Sequence, residues 1–257
     1  MYDRIARYYD LSHDRLTSDI QFLLDLAAGT GDPALELGCG SGRLLLPLAR
    51  NGFHVTGVDN STEMLARARV RLTGEPAEVR DRVELLAGDM AALELPEAGS
   101  RFGLAFFGYN TFMHLDETRA GRTMRRLPLL LRPDGRLFID VDNPLALAAA
   151  ADDPDFALEE EIQDPQTGEF VRQYTAYEAV QGEQAVDVTW VYETPNPASP
   201  TPLHTKARLR YHYLYPHQID LMLGLVGLRL LALYGDYDRT PYREDSDRLL
   251  VVAGVDR

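Results

Sequence analysis

The chain has 257 residues, with 26 Lys and Arg against 40 Asp and Glu, for a formal net charge of −14. That length suits one α/β domain with an embellishment and is enough to bury a real core, while the acidic balance argues against a polyanionic partner such as nucleic acid. The single cysteine, Cys39, excludes an internal disulfide and fits a reducing cytoplasm; no stretch is apolar for long enough to cross a membrane, and Met1-Tyr2-Asp3-Arg4 opens no secretory leader.

Residues 1–15 are polar and aromatic, with Tyr2, Tyr8, Tyr9, Asp10 and His13. Leu16, Ile20, Leu23, Leu24 and Ala27 recur at helical spacing and predict a helix over 16–28, stopped by Gly29-Thr30-Gly31-Asp32-Pro33. A strand is expected at about 34–38, a helix at about 41–51 ended by Asn51-Gly52, and a second strand over 53–58. The next helix is capped by Ser61 or Asn60, turns Met64, Leu65, Ala68 and Leu72 inward, and leaves Arg67, Arg69 and Arg71 on its solvated side. Strand three is read at 83–87, running into Gly88-Asp89-Met90, and strand four at 102–107, opening onto Gly108-Tyr109-Asn110-Thr111. A helix at about 116–131 should be kinked or shortened by Pro128; Pro133-Asp134-Gly135 reads as a turn and 136–141 as strand five.

To this point strands and helices alternate, which argues for a parallel sheet with helices on both faces. From about 142 to 215 the pattern becomes β-branched, aromatic and alternating, as in 170–180 and 184–193, with turns at 164–168 and Gly182 and a proline-rich loop over 195–202. An antiparallel β cap inserted after strand five is expected there. A helix over 216–225, closed by Gly227, returns to the first pattern, and 228–234 and 248–253 read as a final antiparallel pair. The expected division is thus 1–141 with 216–257 as one Rossmann-like α/β domain, and 142–215 as the inserted cap.

Within that frame Leu35-Glu36-Leu37-Gly38-Cys39-Gly40-Ser41-Gly42 is the end of a buried strand followed by a glycine bend. Glycines at alternate positions strip the bend of Cβ atoms, so its backbone can approach a ligand closely. Asp59, at the end of the second strand, is placed to accept from both hydroxyls of a ribose. A nicotinamide-binding turn shares this geometry but needs a third glycine at position 43, where this chain has arginine. A pyrophosphate wants a free helix N-terminus; a cofactor with a sulfonium, an ammonium and no phosphate wants only the close backbone and a nearby acid.

Glu36-Leu37-Gly38-Cys39-Gly40-Ser41-Gly42 resembles motif I of the class I S-adenosylmethionine-dependent methyltransferases. Val58 to Leu65 is similar to the family's second motif, Ala87-Gly88-Asp89-Met90 to its third, and 131–137 to its proline-glycine turn before strand five. The resemblance covers about 33–141 and 216–255. It implies a Rossmann-like sheet with an antiparallel last strand and S-adenosylmethionine as cofactor. The sites it implies are Glu36, Gly38, Cys39, Gly40 and Gly42 in the bend, and Asp59 on the ribose. Asn60 and Met64 would lie along the adenine, Gly88, Asp89 and Met90 around its amino group, and Phe107 at the end of strand four. The N-terminal Tyr2-Asp3 and Tyr8-Tyr9-Asp10 and the tail from Tyr234 resemble small-molecule methyltransferases acting on glycine, sarcosine or amino sugars. There such a segment folds over the cofactor, so Tyr9 joins the cofactor set. Where methyltransferases of nucleic-acid amino groups commonly carry N-P-P-Y, this chain has Gly108-Tyr109-Asn110-Thr111.

Several residues carry a bland reading beside the functional one. Asp59 and Asp89 are also natural helix caps. Cys39 reads as a small residue fitted to a turn, not a nucleophile. Tyr8 and Tyr9 could close over a sulfonium, or simply anchor the terminus. Methyl transfer asks mainly for positioning and needs a base only when the acceptor must lose a proton. His114, Tyr109 and Tyr213 are the catalytic candidates, with Asp142, His212 and His217 behind them; Tyr211, Tyr213 and Tyr215 are expected on one strand face, as a substrate wall or plain packing. The scattered histidines suggest no metal site. The expectation is a cytoplasmic methyltransferase acting on an O or N atom of a small-molecule acceptor, possible as a homodimer. The alternatives are an NAD-binding oxidoreductase of the same fold and a non-catalytic cofactor-binding scaffold.

Overall fold

A computed structural model describes residues 2–93, 95, 101–151 and 155–256; Met1 and Arg257, the outer limits of the expected domain, lie outside them. The strands in chain order are β1 Ala34–Leu37, β2 Val55–Asp59, β3 Val83–Ala87, β4 Phe102–Phe107, β5 Leu131–Asp142, β6 Ala157–Gln163, β7 Phe170–Ala179, β8 Ala185–Thr194, β9 Leu203–His212, β10 Leu228–Tyr234 and β11 Arg248–Val255. The helices are α1 Ala6–His13, α2 Ser18–Thr30, α3 Leu45–Arg50, α4 Thr62–Thr73, α5 Ala77–Arg80, α6 Glu117–Leu130, α7 Pro144–Ala150 and α8 Pro216–Leu225, with short 3-10 turns at Tyr2–Arg4, Met90–Ala92 and Thr111–His114.

Seven strands form one sheet in the order β10-β11-β5-β4-β1-β2-β3, and β6-β7-β8-β9 form a second. In the large sheet β11 runs antiparallel to both neighbours and the remaining pairs are parallel. The small sheet is antiparallel throughout. The chain leaves β1 toward β2 and β3, then returns to its other side with β4 and β5, so strand order reverses between β1 and β4. An open α/β sheet holds its ligand at that reversal, outside the carboxyl ends.

Alternation along the strands builds two cores. Leu35, Leu37, Phe107, Ile139 and Val251 face one side with α6, α8 and the inner face of the small sheet. Ala34, Phe106, Phe138 and Leu250 face the other, against α2 and α3. Each fully buried phenylalanine there contributes about 1.5–3 kcal/mol of transfer free energy. The outer face of the small sheet is a charge ladder, in which Arg172 meets Glu161 and Glu193 and Asp187 meets Arg208 and Arg210. No helix among the described residues is long and apolar enough to cross a membrane.

Several expectations are corrected. Residues 2–13, for which the sequence suggests no element, are a 3-10 turn and a helix. Helix α3 begins at Leu45, because Gly38, Gly40 and Gly42 all have positive φ, at +77°, +54° and +85°, and extend the bend. Pro128 does not shorten α6, which continues to Leu130. Pro133-Asp134-Gly135 lies inside β5 as an irregularity between the Phe102–Leu131 and Leu104–Arg136 pairs. Strand β9 ends at His212, so Tyr213 and Tyr215 do not share a strand face with Tyr211, and Tyr215 instead caps α8. Arg67 and Arg71 are not merely solvated; they clamp α1 through Asp10 and Asp14.

Candidate active site

The glycine bend is drawn onto the end of β2 from two directions. The Gly38 and Cys39 N–H groups both donate to the Val58 carbonyl, at 2.7 and 3.0 Å. The Gly40 N–H donates to Asp59 Oδ2 at 2.8 Å. Asp59 Oδ1 accepts from the Ser61 N–H at 2.8 Å, so the carboxylate holds bend and turn together. The cap of α4 falls to Ser61, whose Oγ accepts from the Met64 N–H at 3.2 Å and donates to Asp3 at 2.7 Å. Burial raises the Asp59 pKa against these hydrogen bonds.

Above the bend lies a cavity of about 500 Å³, within the range of small-molecule and cofactor sites. Gly38, Gly40, Asp59, Asn60, Met64, Gly88 and Met90 line it, and so do Tyr9, Tyr109 and His114. Glu36, Cys39, Gly42, Asp89, Phe107 and Tyr213 do not. Cys39 is packed where a Cβ on Gly57 would lie, 2.9 Å away, and burial pushes its thiol well up. Gly42 turns toward Ala68 of α4. Asp89 caps the Met90–Ala92 turn through the Ala91 N–H at 2.9 Å and pairs with Arg119 at 2.8 Å. Phe107 is fully buried against Phe112. Tyr213 lies beside Val141, His212 and Ile219 in a separate crevice. Asp142 sits in a buried pair with Arg248, and His217 stacks on Tyr215.

Tyr2 and Asp3, from the segment expected to fold over the cofactor, also line the cavity, whereas sequence reasoning gave no site role to Thr111, Arg119 and Leu209 on its wall. Their signal was faint, since Leu209 comes from the small sheet. Tyr2 meets Tyr9 edge-on at 5.3 Å and His114 at 5.5 Å, and its hydroxyl lies 2.9 Å from His114 Nε2. Burial pushes the His114 pKa down to about 4, so the ring is neutral near pH 7 and accepts or carries a hydrogen bond without charge. Tyr9 stacks on His13 at 3.8 Å, while Tyr8 points away and stacks on Tyr192 at 4.9 Å. Only the second of the two adjacent tyrosines therefore faces the cavity.

Helix α1 is tied on both sides. Asp10 accepts from Ser41 Oγ at 2.6 Å and from Arg67, Asp14 pairs with Arg71, Ser12 donates to Gln173 at 3.0 Å, and Arg7 pairs with the buried Asp164. Arg43, at the position a dinucleotide turn reserves for glycine, forks onto Asp19 at 2.9 and 2.5 Å and so binds α2.

The residues present fit S-adenosylmethionine. A Cβ on Gly40 would meet nothing within 4 Å and would project into open space, so bare backbone faces the cavity. Beneath the bend and outside the cavity lining, Glu36 is buried with Oε2 unpartnered and its pKa raised by burial. Among the described residues no three or more His, Cys, Asp or Glu are grouped to hold a metal.

Residues 34–135 match the family model described as a methyltransferase domain. A demethylmenaquinone methyltransferase from Lactobacillus johnsonii is 27% identical over 148 residues, covering 54% of this chain and 58% of the relative. The chain spans little more than half the length of the curated relatives it matches. The CcbJ methyltransferase from Streptomyces caelestis superposes with a TM-score of 0.77 at 25% identity, over 93% of this chain and 94% of that one. The amino pentose methyltransferase CalS10 from Micromonospora echinaspora, solved with S-adenosylmethionine bound, shares the fold with a TM-score of 0.73 at 19% identity, over 96% of both chains. In motif order, sheet order and these likenesses, the chain is similar to the class I S-adenosylmethionine-dependent methyltransferases, and residues 34–135 match a methyltransferase domain.

Proposed function

We propose that the chain transfers a methyl group from S-adenosylmethionine to an oxygen or nitrogen atom of a small-molecule acceptor. The observation that carries this reading is the cavity shared by Gly38, Gly40 and Asp59 on one side and Tyr2, Tyr9, Tyr109 and His114 on the other. The cofactor, when bound, supplies an activated methyl on a sulfonium. The protein then has to bind, orient and exclude water, which supplies much of the rate of such a transfer. Asp59 keeps free lone pairs for the ribose, and Asn60, Met64, Gly88 and Met90 take the adenine. Glu36, Cys39, Gly42, Asp89 and Phe107 support the bend and the adenine end from outside the cavity. The faces of Tyr9 and Tyr109 stabilise a cation. His114, neutral near pH 7, accepts the acceptor's proton. Tyr213, in its separate crevice, takes no part in this scheme.

Residues 142–215 serve in this reading as a cap over the acceptor end, carried on a domain made of 1–141 and 216–257. Leu209 brings the small sheet to the cavity wall. The likeness to an amino pentose methyltransferase supports a small acceptor, and the net charge of −14 disfavours nucleic acid. A cytoplasmic location and a homodimeric state belong to the same proposal.

Calorimetry with S-adenosylhomocysteine tests it. One site per chain is expected, together with no response to NAD and methyl transfer to some member of a panel of small amines and alcohols. A protein that binds NAD and ignores S-adenosylhomocysteine would overturn the reading.

A further inference from the structure

At the tip of β4, Tyr109 and Asn110 hold left-handed backbone, with φ of +37° and +66°. Two consecutive side-chain-bearing residues stay there only where the surroundings over-determine them. The surroundings are a buried polar knot between β5 and β11. Asp140, fully buried, accepts from the Tyr109 N–H at 3.1 Å through Oδ2, and its main-chain carbonyl accepts from the Asn110 N–H at 2.8 Å. Arg248, on β11, donates Nε–H to Asp140 Oδ1 at 3.0 Å, a second N–H to Asn110 Oδ1 at 3.2 Å, and a third to Asp142. The Asn110 amide donates to Asp142 Oδ2 at 2.8 Å and accepts the Asp142 N–H at 2.8 Å. The Arg248 Cζ lies over the Tyr109 ring, 4.7 Å from its centre.

A buried ion pair is a poor device for stability alone, because desolvation offsets its attraction. This one lies behind the strained residue that forms a wall of the cofactor cavity. We propose that Arg248 is a positioning residue for that cavity, fixing Tyr109 on the wall it shares with Gly38 and Gly40. The inference rests on the reading of the cavity as the S-adenosylmethionine site. Asp140 fixes the backbone of Tyr109 and the guanidinium over the ring fixes that ring. Only a planar fork does both, since a lysine offers a point charge that cannot bridge Asp140, Asp142 and Asn110 while also lying over the ring.

The test is S-adenosylhomocysteine affinity by calorimetry, with thermal unfolding, for wild type, Arg248→Lys, Tyr109→Ala and the double variant. Arg248→Lys is expected to weaken binding by about tenfold in the wild-type background and by less than about threefold beside Tyr109→Ala, while lowering the unfolding midpoint equally in both. Equal weakening in both backgrounds, or none in the first, overturns the proposal and leaves Arg248 a structural residue. Should Arg248→Lys not fold, Tyr237→Phe carries the test. It removes only the hydroxyl that donates at 2.9 Å to Asp140 Oδ2, the oxygen Tyr109 also uses, and its effect on affinity must again vanish beside Tyr109→Ala. Wild type that binds no S-adenosylhomocysteine rejects the reading of the cavity, an outcome distinct from an intact site indifferent to Arg248.

Discussion

The Tyr2 hydroxyl and His114 Nε2 stand 2.9 Å apart, although 112 positions separate them in the chain. The contact joins the 3-10 turn at Tyr2–Arg4 to the 3-10 turn after β4, on the wall of the cavity. Burial drives the Tyr2 phenol well up and the His114 imidazole down to about 4, so both partners of this hydrogen bond are neutral near pH 7.

The first prediction concerns pH. Burial pushes both His13 and His114 down to about 4 from an ordinary 6.5. Between those values the unfolded chain takes protons the folded chain refuses, so stability rises with pH across the window and falls on acidification. Glu36 works the other way, because a raised carboxyl pKa favours the folded state at low pH. The difference between variants therefore isolates the histidine. From pH 7 to pH 5, His114→Gln is expected to lose about 1–2 kcal/mol less unfolding free energy than wild type, since a tenfold change in proton affinity corresponds to roughly 1.4 kcal/mol. Denaturant titrations at the two pH values measure it, and parallel losses would count against a buried neutral ring.

The second prediction concerns the hold on α1. Asp10 is buried and accepts from both Ser41 and Arg67. Asp10→Ala removes one side of a largely buried pair and leaves the Ser41 hydroxyl without its acceptor, at an expected cost of about 2–4 kcal/mol. The loss should be local. Hydrogen exchange should speed up in residues 2–15 more than in β1, β4 and β5, and uniform acceleration across the sheet would contradict the clamp.

What the sequence makes legible follows from where the forces are local. Strands β3 and β4 and helix α8 are legible to their observed limits, because short, mostly apolar runs mark the strands and a Pro–Gly pair of stops brackets the helix. Helix α1 is not legible, since its order comes from Asp10, Asp14 and Arg7 reaching residues far along the chain. Strand β6 escapes because its Glu159-Glu160-Glu161 run reads as a solvated segment, yet an edge strand with one face in water tolerates it. The start of α3 is misplaced because motif spacing shows glycines without showing their φ. The cavity's bend, Asp59 and the N-terminal Tyr-Asp segment are legible as motifs, whereas Leu209 arrives from the small sheet, which no local pattern reports.

A third prediction isolates the acid of the second strand. Asp59 accepts the Gly40 and Ser61 N–H groups and faces the cavity. Charge-assisted hydrogen bonds contribute about 1.5–3 kcal/mol each, so losing those to two ribose hydroxyls corresponds to roughly 100-fold or more in affinity. Asp59→Ala should therefore abolish measurable S-adenosylhomocysteine binding in calorimetry at micromolar protein. Binding close to wild type would place the ribose elsewhere.

The fourth prediction separates two glycines of one bend. Both have positive φ, so alanine at either position carries about 1–2 kcal/mol of backbone strain. Their surroundings differ. A Cβ on Gly38 would lie 2.2 Å from Thr111 Cγ2, whereas a Cβ on Gly40 would meet no protein atom within 4 Å. Gly38→Ala must displace the turn that carries His114, so it should lower the unfolding midpoint markedly. Gly40→Ala should fold with a small loss of stability and still bind S-adenosylhomocysteine poorly, because its methyl occupies the space where bare backbone meets the ligand. Thermal unfolding and calorimetry on the two variants decide the matter. If Gly40→Ala binds as tightly as wild type, the ligand does not lie against the bend, however well the remaining motifs agree.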